Sequence, residues 1–84
     1  MTLIVIYENT YISANTIPKM CQALVNRGLA IHDREFHVYR VLSGEKIAII
    51  RYDKHMDMWM QMPIGWRAIK GTREMRSNKP KVEE

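Results

Sequence analysis

The chain has 84 residues, of which 46% are hydrophobic and 26% are charged, and a formal net charge of +4. These values predict one globular domain, too small to enclose a deep, dry active site besides its core. Its one cysteine, Cys21, excludes an internal disulfide. Together with the lack of a signal-like start this favours a cytoplasmic protein. The first apolar run, residues 3–7, is far shorter than the roughly 20 residues that span a bilayer, so no membrane partner is expected.

The first two predicted elements are a strand and a helix. Residues 2–8 (TLIVIYE) are apolar and β-branched, which predicts a central strand buried on both faces. Residues 9–15 are polar and are interpreted as irregular. A helix is predicted to begin near Pro18, capped by Thr16 or Asn15, and to stop at Gly28. Its apolar stripe predicts a core-facing side and makes Cys21 a core residue. The stripe contains Ile17, Met20, Cys21, Leu24 and Val25.

Residues 35–53 (EFHVYRVLSGEKIAIIRYD) predict a β-hairpin whose loop is Gly44 and Glu45. In that register Arg40 lies opposite Ile49 and Val38 lies opposite Arg51. Because side chains alternate between faces, two sets result. One face would carry Phe36, Val38, Arg40, Leu42, Ile47, Ile49 and Arg51; the other would carry His37, Tyr39, Val41, Ala48, Ile50 and Tyr52. Both sets are largely apolar, which indicates an inner part of a sheet.

Methionines occupy every second position from Met56 to Met62. This alternation favours a strand whose methionine face fills the core or serves as an adaptable surface, although a short helix ended by Pro63 is an alternative. The predicted fold is therefore α+β, with a mostly antiparallel sheet of three to four strands in the order β-α-β-β-β and one amphipathic helix on one face. The domain is expected to cover residues 1–76, followed by a flexible charged tail at 77–84.

The chain shows few patterns that indicate an enzyme. Ser13 and Ser43 lie in no Gly-x-Ser-x-Gly elbow, and the four glycines form no phosphate-binding loop. The candidate metal ligands do not follow the spacing of paired zinc ligands, so neither a metal nor another cofactor is expected. Those candidates are His32, His37, His55, Cys21, Asp33 and Asp57. The sequence favours a protein without catalytic activity.

One enzymatic alternative comes from the predicted element order over residues 17–55: an amphipathic helix, a glycine, a strand with an internal histidine, a turn and a strand. This order resembles the small double-stranded-RNA-binding-like ribonucleases of the HicA toxin type, in which one histidine on a sheet strand serves RNA cleavage. The resemblance implies that role for His37. The Gly-Ser-His of that family reads Glu35-Phe36-His37 here, and this chain adds an N-terminal strand. A small ribonuclease or metal-dependent enzyme is the third hypothesis for function.

A second hypothesis is a module that binds RNA or DNA directly. Residues 67–81 contain six basic residues and a single acidic residue, Glu74. Such a basic segment is typical of contact with an anionic partner. On the predicted hairpin Phe36 would share a face with two arginines, an arrangement that can hold phosphates and stack bases. The residues predicted to bind nucleic acid or an acidic partner are Arg40, Arg51, Arg67, Lys70, Arg73 and Arg76.

The first hypothesis is a small regulator or inhibitor, of the kind that viruses make, that docks on a macromolecular partner. Aromatic, methionine and arginine side chains are enriched in interface cores, and Phe36, Trp59 and Trp66 are the predicted docking residues. An apolar sheet face could equally be covered by a second copy in a homodimer. The partner in this hypothesis is a protein or nucleic-acid-handling machinery.

Overall fold

A computed structural model describes residues 1–76 as one helix packed on an antiparallel sheet. The predicted tail at 77–84 lies outside the described residues. The elements are β1 (Leu3–Tyr7), β2 (Thr10–Ala14), α1 (Ile17–Asn26), β3 (Glu35–Arg40), β4 (Lys46–Asp53), β5 (Met58–Met62) and β6 (Arg67–Ala68). The spatial order of the strands is β2-β1-β3-β4-β5-β6. Within residues 1–76, no helix combines the length and the apolar character needed to cross a bilayer.

The α+β class is confirmed, but the sheet has six strands rather than three to four. The first missed strand is β2, which the polar residues 9–15 concealed. A two-residue turn with Glu8 at φ 54° folds it onto β1, where Val5 pairs with Ile12. Since Ile12 is its only fully buried side chain, β2 shows little hydrophobic signal. The second missed strand, β6, has only two residues.

The helix α1 covers the β2–β1 half of one sheet face. Thr16 caps it as predicted, with its hydroxyl accepting a hydrogen bond from the Lys19 N–H at 3.2 Å. Met20, Cys21 and Leu24 are fully buried and pack on this face, which we call the helix side. The local prediction of the helix is confirmed, because spacing and capping are both properties of neighbouring residues.

The chain after β6 covers the β5 half of the helix side. The Ile69 N–H donates to the Trp59 carbonyl at 2.9 Å, and the Trp59 N–H donates to the Thr72 hydroxyl at 3.0 Å. That hydroxyl donates in turn to the Ile69 carbonyl at 2.8 Å. Ile69, Thr72 and Trp59 are all buried, so residues 69–72 are anchored to the core and complete its cover.

The predicted register of the central hairpin is wrong. Strand β3 ends at Arg40, and residues 41–45 form a five-residue loop closed by two backbone hydrogen bonds of 2.8 Å, from Gly44 N–H to the Arg40 carbonyl and from Arg40 N–H to the Glu45 carbonyl. Val38 pairs with Ala48, three positions away from the predicted partner Arg51. A shift by an odd number reverses the faces of β4 relative to β3. Arg51 therefore lies opposite Glu35, on the face away from the helix.

The methionine-rich segment is a strand, as the alternation favoured, but Met58 is its only buried methionine. Residues 54–57 form a turn, and β5 pairs with β4 from Met58 onward. Trp59, opposite Tyr52, points into the core with no exposed surface. Met60 and Met62 lie half-buried on the other face. Because the bulky indole fills the core position, these methionines are not core filler.

Candidate functional site

The sheet face opposite α1 is the most distinctive surface of the described residues, and we call it the open face. No helix or strand within residues 1–76 packs on it, because α1 and residues 69–72 both lie on the helix side. The pairing places its side chains in three rows across the strands. The first row is Ser13, Ile4, Tyr39 and Lys46; the second contains the pair Tyr11 and Ile6 and the run His37, Ile49 and Met62; the third is Glu35, Arg51, Met60 and Ala68.

The half of the open face formed by β2, β1 and β3 is apolar and aromatic. Ile6 and Tyr11 are each 63% exposed although they lie on regular strands. Two shallow grooves, of about 250 and 290 Å³, adjoin here and share Ile4 and Val41 in their walls. Contiguous apolar surface of this kind on a small protein marks an interaction site more often than single exposed residues do.

The centre of the open face is polar. The Lys46 ammonium lies 3.2 Å from His37 Nδ1. Since a charged lysine can only donate, His37 Nδ1 is the acceptor in this contact. His37 is the residue to which the ribonuclease resemblance assigns a role, and in the structure it lies beside the Lys46 cation.

In the β4–β5 half of the open face, Arg51 contacts both an aromatic ring and a carboxylate. Its guanidinium carbon lies 4.1 Å from the ring centroid of Trp66, and its Nη1 lies 3.7 Å from Asp33 Oδ1. The Nε atom is buried without a hydrogen-bond partner. Arg51 is therefore held by a ring and a carboxylate, and the predicted docking residue Trp66 lies half-buried over it.

Several predicted site residues are not where the sequence placed them. Phe36 and Trp59 are 3% and 0% exposed and belong to the core, so neither can form a docking surface. Arg40 pairs with Leu3 on β1 and therefore does not share a face with Arg51. Its Nη1 forms an ion pair with Glu45 Oε1 at 3.2 Å. The expected set of Phe36 and two arginines on one face is wrong, because it depended on the incorrect hairpin register.

The remaining predicted cations form a separate surface, which we call the basic segment. All four side chains are exposed: Arg67, Lys70, Arg73 and Arg76. The backbone that carries them is anchored on the helix side through Ile69 and Thr72, and the Arg76 guanidinium carbon lies 5.7 Å from the Tyr52 ring centroid on that side. The anchored backbone of the basic segment and the Arg76 side chain thus lie on the side of the sheet opposite the open face, and no pattern in the sequence distinguished the two surfaces.

The histidines expected as candidate metal ligands are only partly brought together. The His32 and His55 rings meet edge-on with centroids 5.0 Å apart, and the Lys54 N–H donates to His32 Nδ1. Hydrogen bonds from the Met56 and His55 N–H groups hold the pKa of Asp53 below its ordinary value. Across residues 1–76 no three histidine, cysteine, aspartate or glutamate side chains gather in a way that could hold a metal ion. Burial raises the pKa of the Cys21 thiol.

Three residues of the open face were missed from the sequence as surface candidates: Ile4, Ile6 and Tyr11. The apolar run of β1 predicted burial on both faces, yet only Leu3 and Val5 on the helix side are fully buried. A signal existed in Tyr11, an aromatic side chain in an otherwise polar stretch. It could have been used only if β2 had been recognised as a strand paired with β1.

Comparison with protein-family models, with curated proteins and with solved structures finds no match for this chain.

Proposed function

We propose that this protein has no catalytic activity and acts by docking a protein partner onto the open face of its sheet. The observation that carries the proposal is the exposure of Ile6 and Tyr11 on regular strands, beside grooves lined by further apolar side chains. Leaving such a face in water forgoes the burial free energy of about 25 cal/mol per Å². A partner that covers it recovers that free energy.

The composition of the open face supports a protein as the partner. Tyrosine, methionine, tryptophan and arginine, which interface cores favour, are all present in Tyr11, Tyr39, Met60, Trp66 and Arg51. Trp66 is already oriented by its contact with Arg51. A preoriented aromatic side chain loses little conformational freedom on binding, which favours affinity.

The charges of the open face argue against nucleic acid at this surface. Glu35 lies directly opposite Arg51, and Arg51 also contacts Asp33. Lys46 is the remaining cation of the three rows and is accompanied by His37. A surface that binds phosphates presents an excess of free cations, whereas here positive and negative groups are nearly balanced.

Photo-crosslinking tests the proposal. Benzophenone-alanine placed at Ile6 should yield a specific adduct with another protein in an extract of the source cells, whereas the same group at Asn26 on the exposed part of α1 should not. Unlabelled wild-type protein and Leu42→Glu should compete for that adduct, but Ile6→Glu should not; Leu42 is 95% exposed and lies outside the three rows. Equal adducts from both positions, or equal competition by both glutamate variants, would refute docking on the open face.

A nucleic-acid-binding module is the second candidate, supported by the four exposed cations of the basic segment. Anisotropy of labelled single-stranded and duplex RNA and DNA, measured across a salt series, decides between them. Tight binding with a steep negative salt slope, lost when all four cations become glutamine, would favour this candidate. The ribonuclease alternative requires RNA cleavage that His37→Ala abolishes without altering folding.

A further inference from the structure

Two loops at one end of the sheet carry the most exposed large hydrophobic side chains of residues 1–76. Strands β3 and β5 run in the same direction, because each pairs antiparallel with β4. The loops that follow them, residues 41–45 and 63–66, therefore leave the sheet at the same end, which we call the loop end. Leu42 in the first loop is 95% exposed, and Ile64 in the second is 88% exposed.

The shape of this apolar surface suits a lipid better than a protein. Val41, next to Leu42, is exposed as well, so the apolar side chains are grouped, and grouped exposed apolar side chains mark protein or membrane contacts. They project from loop tips and touch almost nothing of their own chain. A protein partner would need a matching hollow for each of them, whereas fluid acyl chains adapt to a protruding side chain of any shape.

Basic side chains surround the loop end. Arg40 and Lys46 flank the 41–45 loop, and Arg67 follows the 63–66 loop. Strand β2 also ends here, so α1 begins here, and Lys19 lies in its first turn. Within residues 1–76 the acidic side chain of this end is Glu45, whose Oε1 pairs with Arg40 Nη1 at 3.2 Å. Positive charge is therefore in excess at the loop end.

The remaining acidic side chains of residues 1–76 lie toward the opposite end of the sheet. They occur in the turn after β1, around the start of β3, at the end of β4, just before β5 and after β6: Glu8, Asp33, Glu35, Asp53, Asp57 and Glu74. The Glu74 N–H donates to the Asp57 carbonyl at 2.6 Å, which places Glu74 at that end. This distribution of charge directs the loop end toward a negatively charged surface.

We propose that the loop end binds the surface of a membrane that contains anionic lipids, with Leu42 inserted among the acyl chains and the surrounding cations on the headgroups. Such binding combines apolar burial with electrostatic attraction and needs no segment that spans the bilayer. The sequence-based expectation of no membrane partner considered spanning segments alone. Because the sheet stands on its end in this contact, the open face stays accessible to a protein partner.

Leu42 reaches furthest toward the membrane. Met62, the last residue of β5, pairs with Ile49, which lies three residues after the start of β4 at Lys46. At about 3.4 Å per residue, the β3–β4 hairpin extends about 10 Å beyond the end of β5. Leu42 therefore enters the lipid before Ile64 does, and its loss should weaken binding more.

Co-sedimentation with vesicles of phosphatidylcholine and phosphatidylserine measures the contact. The protein should bind these vesicles at low salt, less at high salt, and should bind pure phosphatidylcholine weakly. Leu42→Glu should lower the partition coefficient at least about tenfold, and Ile64→Glu should lower it less. Ile31→Glu makes the same change at an exposed site between α1 and β3, at the opposite end, and should alter binding little. No binding to anionic vesicles at low salt, equal binding to both kinds of vesicle, or equal losses in Leu42→Glu and Ile31→Glu would overturn the proposal.

A fluorescent label locates the contact. Cys21 is buried, so a thiol introduced at the surface can be labelled selectively. A nitrobenzoxadiazole group on Leu42→Cys should shift its emission to shorter wavelength when anionic vesicles are added, whereas the same group on Ile31→Cys should not. Equal shifts at both positions, or a shift at Ile31→Cys alone, would place the lipid elsewhere and overturn the assignment. Neither measurement involves a protein partner, so a negative result leaves the proposed function standing.

Discussion

Thr72→Val offers a sharp test of how the chain after β6 is held. The Thr72 side chain has no exposed surface, and its hydroxyl accepts from the Trp59 N–H at 3.0 Å and donates to the Ile69 carbonyl at 2.8 Å. Valine has nearly the same shape but replaces the hydroxyl with a methyl group. The buried Trp59 N–H then loses its partner, and the Ile69 carbonyl keeps only its second hydrogen bond, from the Thr72 N–H at 3.3 Å.

The cost follows from these two groups. Leaving a buried donor without a hydrogen bond costs about 1–3 kcal/mol, and removing one of the two hydrogen bonds to the carbonyl costs about 0.5–1.5 kcal/mol. The substitution should therefore lower the free energy of unfolding by about 2–4 kcal/mol. Domains have only about 5–15 kcal/mol in total. With a slope of about 1 kcal/mol per molar urea for a small protein, the unfolding midpoint should fall by about 2 M or more.

Urea unfolding followed by circular dichroism and tryptophan fluorescence measures the change. Thr72→Ser is the matched control, because it keeps the hydroxyl and loses one methyl group, which costs about 1 kcal/mol. If Thr72→Val proved as stable as Thr72→Ser or more stable, the hydroxyl would not hold this segment and the reasoning would fail.

Three further predictions concern single side chains. Arg51→Met should cost about 1–2 kcal/mol by removing the contact with Trp66, and Arg51→Lys less; urea midpoints check this, and an unchanged tryptophan emission in Arg51→Met would contradict the stacking. Because burial raises its pKa, the Cys21 thiol should react with a thiol reagent at least about a hundredfold more slowly in the folded protein than in urea, and comparable rates would contradict its burial. The folded pKa of Asp53 is lowered, so its stabilisation is complete above the pKa of the unfolded carboxyl and is lost as pH falls through the folded value. Urea midpoints below pH 5 should therefore fall less steeply in Asp53→Asn, and identical slopes would exclude this contribution.

Features set by neighbouring residues were predictable from the sequence. The helix α1 follows from the spacing of its apolar residues and from Thr16 three positions before the N–H it caps. The alternation in β5 likewise identified a strand. Neither pattern states which face meets the core. Trp59 and Met60 lie on opposite faces of β5. Which of the two faces is buried depends on where the helix and the returning chain pack, and this is a tertiary property.

The hairpin register shows why the predicted site failed. Val41 and Leu42 continue the apolar character of β3 beyond its end, so the pattern gives no sign that the strand stops at Arg40. The resulting odd shift moved Phe36 into the core and placed Arg51 on the other face. Trp66 remains a candidate docking residue, because it is only half-buried and lies over Arg51 on the open face. The buried hydrogen-bonding role of Thr72 could not be predicted, because a single threonine among polar residues forms no recognisable sequence pattern.

The placement of the basic segment on one side of the sheet and the apolar rows on the other has a consequence for competition. The sheet is a single layer, yet a ligand seated over Ile6 on the open face does not contact Arg67 or Arg76. Occupancy of one side therefore leaves the other sterically accessible. A molecule with two such sides can hold two ligands together and raise the effective concentration of one for the other.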